Sequence, residues 1–105
     1  MAFQPVVQGD LLKGKVIYID NYENVFVNIT EKLFKSAVNN RKFAITFRSL
    51  NYRITEISKS YKDVSYGDML ALFSTSGYIE IAIREGKASS LLGLKMDQLV
   101  TVEIM

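Results

Sequence analysis

Residues 22–29 read Tyr-Glu-Asn-Val-Phe-Val-Asn-Ile, an alternation that sorts residues two apart onto the same side of a strand. Val25, Val27 and Ile29 form one β-branched face that seeks a core, and Tyr22, Asn24, Phe26 and Asn28 form the other, aromatic alternating with carboxamide. The same period recurs downstream. Residues 42–48 set Phe43, Ile45 and Phe47 against Lys42, Ala44, Thr46 and Arg48. Ile79, Ile81 and Ile83 share one face of residues 78–83, and residues 99–104 alternate Leu99, Thr101 and Glu103 with Val100, Val102 and Ile104. Residues 12–19 and 69–73 read as further strands, the second buried, and Tyr52, Ile54 and Ile57 suggest one more after Asn51.

Between these runs lie turn and helix signals. Thr30 with Glu31 and Lys32 opens a short helix over residues 33–38, with Leu33, Phe34 and Ala37 on one side and Asn39-Asn40 at its end. Residues 88–92 make a short helical turn closed by Gly93. Asp20-Asn21, Gly67-Asp68 and Ser76-Gly77 mark tight connections, and the polar, lysine-bearing residues 58–65 read as a loop. Residues 1–10, with Pro5 and Gly9, read as an incoming linker or an appended start, leaving residues 11–105 as the domain. Six or seven short strands joined by short connections, with one or two short helices, predict a mainly β fold: a small antiparallel β-barrel. A chain of 105 residues holds one such domain.

Composition narrows the chemistry. With 49% hydrophobic residues and no apolar run near the roughly 20 that a membrane helix needs, the chain reads as globular and not membrane-spanning. Its first ten residues lack a signal-peptide pattern, so the cytoplasm is the default location. The absence of cysteine excludes disulfides and thiolate metal sites. The absence of histidine removes the commonest general base and metal ligand, so a Ser-His-Asp triad cannot form within this chain. Glu23, Glu80 and Glu85 are scattered, without the spacing of a paired acid and base. A net charge of +2 is too small to demand a polyanionic partner.

The aromatic–amide face has two readings. It suits a flat, polar-edged ligand, offering rings to stack on and amides that donate and accept, with the Asp20 carboxylate available to an ammonium group. It also describes a solvated face with amphipathic tyrosines. A rival surface interleaves Lys42, Arg48 and Arg53 with Phe47 and Tyr52, as a free-standing OB-like module for single-stranded nucleic acid would. The balanced charge makes a solvated face the simpler account there. A pure oligomerisation unit is a third reading.

Two segments carry a family resemblance. Asp20-Asn21-Tyr22-Glu23-Asn24-Val25-Phe26-Val27-Asn28-Ile29 resembles the D-x-F-G-N-x-x-T-N-I signature of the C-terminal domain of S-adenosyl-L-methionine (SAM) hydroxide adenosyltransferases, relatives of the fluorinase. Ser74-Thr75-Ser76-Gly77-Tyr78-Ile79-Glu80-Ile81-Ala82, followed by Gly86-Lys87-Ala88, looks like the family's S-x-G-Y-L-E-I-A…G-x-A block. Residues 14–20 and 94–102 fit as well, so the resemblance covers nearly the whole chain in order.

The resemblance implies a C-terminal substrate-binding β-barrel that works with an N-terminal α/β domain, the site lying between subunits of a homotrimer. SAM would be the substrate, converted with water to adenosine and L-methionine, and no other cofactor is implied. Asp20 would contact the methionine portion, Tyr22 and Phe26 the adenine ring, and Asn24 its polar edge. Thr75 and Ser76 would face the methionine carboxylate, and the segment from Ile83 to Glu85 would meet adenine through main-chain atoms. The catalytic groups would sit in the N-terminal domain, so this chain alone is expected to be inactive. Glu23 stands where the family has glycine, so the turn there either avoids positive φ or tolerates strain. Val27 replaces a common threonine, and Ser76 replaces the arginine of fluorinating members, which favours the hydroxide branch.

Overall fold

The computed structural model describes residues 4–47 and 49–105. The strands are β1 (Val6–Gln8), β2 (Leu11–Ile19), β3 (Val25–Thr30), β4 (Phe43–Phe47), β5 (Ser49–Ile54), β6 (Met69–Phe73), β7 (Tyr78–Ile83) and β8 (Leu99–Ile104). Helix α1 spans Glu31–Val38, α2 spans Ala88–Leu92, and a 3₁₀ turn covers Tyr61–Asp63. All strand pairs are antiparallel, in the order β5-β4-β8-β2-β3-β7-β6, with β1 added beside β2. Past β5, Ile57 bridges Ala71 in parallel, and the Ser58 N–H donates to the Ala71 carbonyl at 2.8 Å. That contact nearly closes the sheet into the expected barrel. The strand beyond the expected number is β1, wholly exposed and lying within the segment read as a linker.

The period-two readings place the core correctly in β3, β7 and β8; in β4, Ala44, set on the polar side, is fully buried and Phe43 is half-buried. Val25, Val27 and Ile29 are fully buried, with Val16, Ile45, Ile79, Ile81, Val100 and Val102 around them. Helix α1 closes one end. The Thr30 hydroxyl accepts from the Leu33 N–H at 3.1 Å, and Asn39 ends the helix in the left-handed region. Its buried residues are Phe34 and Val38, where the sequence favoured Leu33, Phe34 and Ala37; Leu33 and Ala37 are only half-buried. Phe34 meets Phe43 and Phe73 edge-on at 4.9 and 5.5 Å between ring centroids. A second apolar cluster, Leu70, Leu72 and Ala82, lies on the outside of β6 and β7. Val64 covers it, held there by the Arg84 guanidinium, which donates to the Val64 carbonyl at 2.8 Å.

One expectation is corrected at the end of β3. Asn28 does not belong to an open aromatic–amide face; it is 8% exposed. Residues 11–13 of β2 pair with β1, whereas residues 16–19 pair with β3, so β2 changes partner in between. At that junction the Asn28 side-chain oxygen accepts the Lys15 N–H at 2.9 Å. The β3–β7 register shifts between Val27 and Thr30, which breaks the strict alternation and leaves Val27, Asn28 and Ile29 all buried. A Cβ on Gly14 would lie 2.6 Å from that Asn28 oxygen and 2.7 Å from Ile29 Cγ1, so the close approach requires glycine.

Candidate functional site

Strand β3 begins at Val25, three residues later than its alternation suggests, because a side chain captures the preceding backbone. The Asp20 carboxylate accepts the N–H groups of Tyr22 and Asn24, both at 2.9 Å. The Asn24 amide donates to its other oxygen at 3.3 Å, and the Glu23 N–H donates to the Asp20 carbonyl at 2.9 Å. Aspartate favours such local turns for this reason. Glu23, at the position where the resembling family has glycine, takes a left-handed conformation with φ 63°. Its main-chain oxygen accepts the Ser89 N–H at 2.9 Å, and its carboxylate accepts both the N–H of Ser90, at 2.9 Å, and the Ser90 hydroxyl. The Ser90 hydroxyl holds the Glu23 carboxyl below the usual carboxylate range. The turn therefore tolerates positive φ because α2 grips it.

Beyond the turn lies an aromatic surface. Tyr22 is 76% exposed, Asn24 and Phe26 are half-buried, and Tyr18, opposite Phe26 on β2, is 57% exposed. The Tyr18 and Phe26 rings lie 5.6 Å apart at 51°. The alternation thus assigns Tyr22, Asn24 and Phe26 to the accessible side, as observed. On the other flank Phe26 pairs with Glu80 of β7. Glu80 is 5% exposed and accepts the Tyr61 hydroxyl at 2.5 Å. Burial pushes the Glu80 carboxyl up, the Tyr61 hydrogen bond opposes that, and the Asp20 charge adds to it. Burial and the Glu80 carboxylate push the Tyr61 hydroxyl up as well.

Glu80 and Tyr61 are the residues that sequence reasoning missed. A signal for Glu80 existed: it is the polar residue between Ile79 and Ile81, inside the second motif. Tyr61 had none, since residues 58–65 read only as loop.

The remaining candidates divide between the two ends of β7. Because Val25 pairs with Ile81, the segment from Ile83 to Glu85 lies near the Asp20–Asn24 turn. Ile83 itself is core, and its carbonyl accepts the Gly86 N–H at 3.0 Å. The main chain of Arg84 is bonded to Gly67 and Asp68, and Glu85 is exposed with φ 56°. Thr75 and Ser76 are exposed at the opposite end, where Tyr78 pairs with Thr30 and the Glu31 N–H donates to the Gly77 carbonyl. A six-residue strand such as β3 separates its ends by roughly 16 Å. The eight candidates therefore form two groups, not one patch.

The rival nucleic-acid surface is largely committed elsewhere. Phe47 is 4% exposed and stacks on Tyr52 at 5.6 Å, and Arg53 is paired with Glu103 at 3.2 Å. Arg48 lies outside the described residues. Among the described residues no cluster of acids could hold a metal ion, and no helix is long and apolar enough to cross a membrane.

Known proteins share this architecture. The model of the SAM hydroxide adenosyltransferase C-terminal domain matches residues 14–101. An uncharacterized conserved protein from Thermotoga maritima has a similar crystal structure, with a TM-score of 0.83 and 25% identity over 97% of this chain and 39% of that one. A conserved hypothetical protein from Thermus thermophilus shares the fold with a TM-score of 0.64 and 20% identity, over 89% of this chain and 34% of that one. The chain spans well under half the length of either protein.

Proposed function

The chain belongs to the SAM hydroxide adenosyltransferase C-terminal domain family, and on that premise we propose that it is the adenosyl-binding half of a cytoplasmic enzyme that hydrolyses SAM. The observation that carries this reading is the exposed aromatic surface beside a turn whose backbone is already satisfied by Asp20. Tyr22 and Phe26 offer rings to adenine, Asn24 meets the polar edge of the base, and main-chain atoms of the segment from Ile83 to Glu85 flank it. Asp20 faces the methionine portion. A ligand lying along β3 and β7 would bring its methionine carboxylate toward Thr75 and Ser76 at the far end.

In the whole protein an N-terminal α/β domain supplies the reacting groups, and a homotrimer completes each site between subunits. A water oxygen forms a bond to C5′ as the C5′–S bond breaks. The electron pair passes to sulfur, giving neutral methionine thioether, and the proton leaves to solvent. This domain orients the sulfonium in line with the nucleophile and helps exclude bulk water. It carries no histidine, and the reacting groups belong to the N-terminal domain, so the isolated chain should turn over no SAM.

The test is an amide NMR titration of the chain with SAM, adenosine and a short oligonucleotide. Shifts confined to residues 18–26 and 83–85 with adenosine, joined by residues 75–76 with SAM, support the reading. No response to either, or a response to the oligonucleotide centred on Tyr52 and Arg53, overturns it.

A further inference from the structure

Glu80 is nearly sealed from water, yet among the described residues no cation is paired with it. Among the described residues the ion pairs are Lys15–Asp97, Lys35–Glu31, Arg41–Asp10 and Arg53–Glu103, and neither Glu80 nor Asp20 takes part. A buried carboxylate without a counter-ion is costly, and one tyrosine hydrogen bond offsets only part of that cost. The charge that does act on Glu80 is another acid, Asp20. Around this pair stand aromatic rings: Phe26 directly across from Glu80, Tyr18 against Phe26, and Tyr61 on the Glu80 carboxylate. Ring faces and carboxylates both attract positive charge, and here they converge on a partly open surface.

We propose that Glu80, supported by Asp20, is a specificity-determining residue that makes this surface favour the cationic sulfonium of SAM over a neutral thioether of nearly the same shape. The inference rests on the adenosyl reading above and adds the property that reading lacks, selection by ligand charge. Glu80 acts through its field, since its carboxylate is shielded and held by Tyr61. For a hydrolase the consequence is practical: substrate is held more tightly than neutral adenosine-containing products or by-products.

The experiment compares dissociation constants of SAM and S-adenosylhomocysteine, which differ by one methyl group and its positive charge. Both are titrated into the chain near pH 8, where ordinary carboxyls are ionised. The wild type should prefer SAM by about tenfold or more, the size expected of one charge pair several ångströms apart at intermediate dielectric. Glu80→Gln keeps the shape and the acceptor for Tyr61 but removes the charge, and should reduce the preference to within about threefold. Asp20→Asn keeps the acceptor of the turn and should reduce it too, so it carries the test if Glu80→Gln does not fold. Glu103→Gln, the same charge change beside Arg53, should leave the ratio unchanged.

A wild type that binds both ligands without preference overturns the inference and leaves the adenosyl reading standing. So does an undiminished preference in Glu80→Gln and Asp20→Asn, or an equal loss in Glu103→Gln. Failure of the wild type to bind either ligand overturns both together.

Discussion

The two ends of β3 carry the same residue type, asparagine, four positions apart and on the same expected face, yet the fold uses them differently. At the far end, β2 leaves β3 for β1, and the Asn28 side chain accepts the Lys15 N–H across a gap that only glycine at position 14 permits. That amide is spent on the architecture. At the near end, the N–H groups of Tyr22 and Asn24 are taken by Asp20 instead. Tyr22, Asn24 and Phe26 are thereby left partly accessible. A side chain becomes available to a ligand where a neighbour has already satisfied the backbone around it.

The largest break in that comparison should come from Gly14→Val. Its Cβ would meet the Asn28 oxygen at 2.6 Å, so urea unfolding should show a loss of about 3 kcal/mol, the upper range for overpacking. Asn28→Ala should follow with a loss of about 2 kcal/mol, since the Lys15 N–H loses an acceptor in a part-buried site. At the near end the order of effects should invert. Asn24→Ala should change stability by no more than about 0.5 kcal/mol, because the turn is held by Asp20 and the Asn24 main chain. If the adenosyl reading proposed above holds, it should weaken SAM binding by about 1–3 kcal/mol, and Phe26→Ala by a similar amount through lost stacking. Equal stability losses for Asn24→Ala and Asn28→Ala would erase the distinction between the two ends.

The smallest effect concerns pH. The Glu80 carboxyl is raised above its ordinary value, so between the unfolded and folded values the native state holds a proton that the unfolded chain has lost. Its contribution to stability therefore falls as pH rises through that window, and Glu80→Gln should flatten the slope of the urea midpoint against pH. Glu23 has the opposite sign. Its carboxyl is lowered by Ser90, so its contribution is present above the unfolded value and is lost as pH falls through the folded one. Glu23→Gln should flatten only that more acidic limb.

Much of the barrel was legible from local pattern. The bounds expected for β6, β7, β8 and α2 match the structure, because each segment carries its own signal between turn-forming residues: an apolar run in β6, alternation in β7 and β8, and the closing Gly93 in α2. The burial of Val25, Val27 and Ile29 and the accessibility of Tyr22, Asn24 and Phe26 followed from the same alternation. The sequence also posed the question at Glu23 by placing an acid where the resembling family has glycine. Only the tertiary structure answered it, through Ser90, 67 residues away. The same holds for Asn28, whose burial follows from a change of strand partner and a register shift that alternation does not encode. It holds again for Glu80, which meets Tyr61 across 19 residues because a loop folds over the outside of β7. Local pattern decides which face a residue takes, whereas the partner it meets there depends on cross-strand register and loop closure, which are properties of the whole chain.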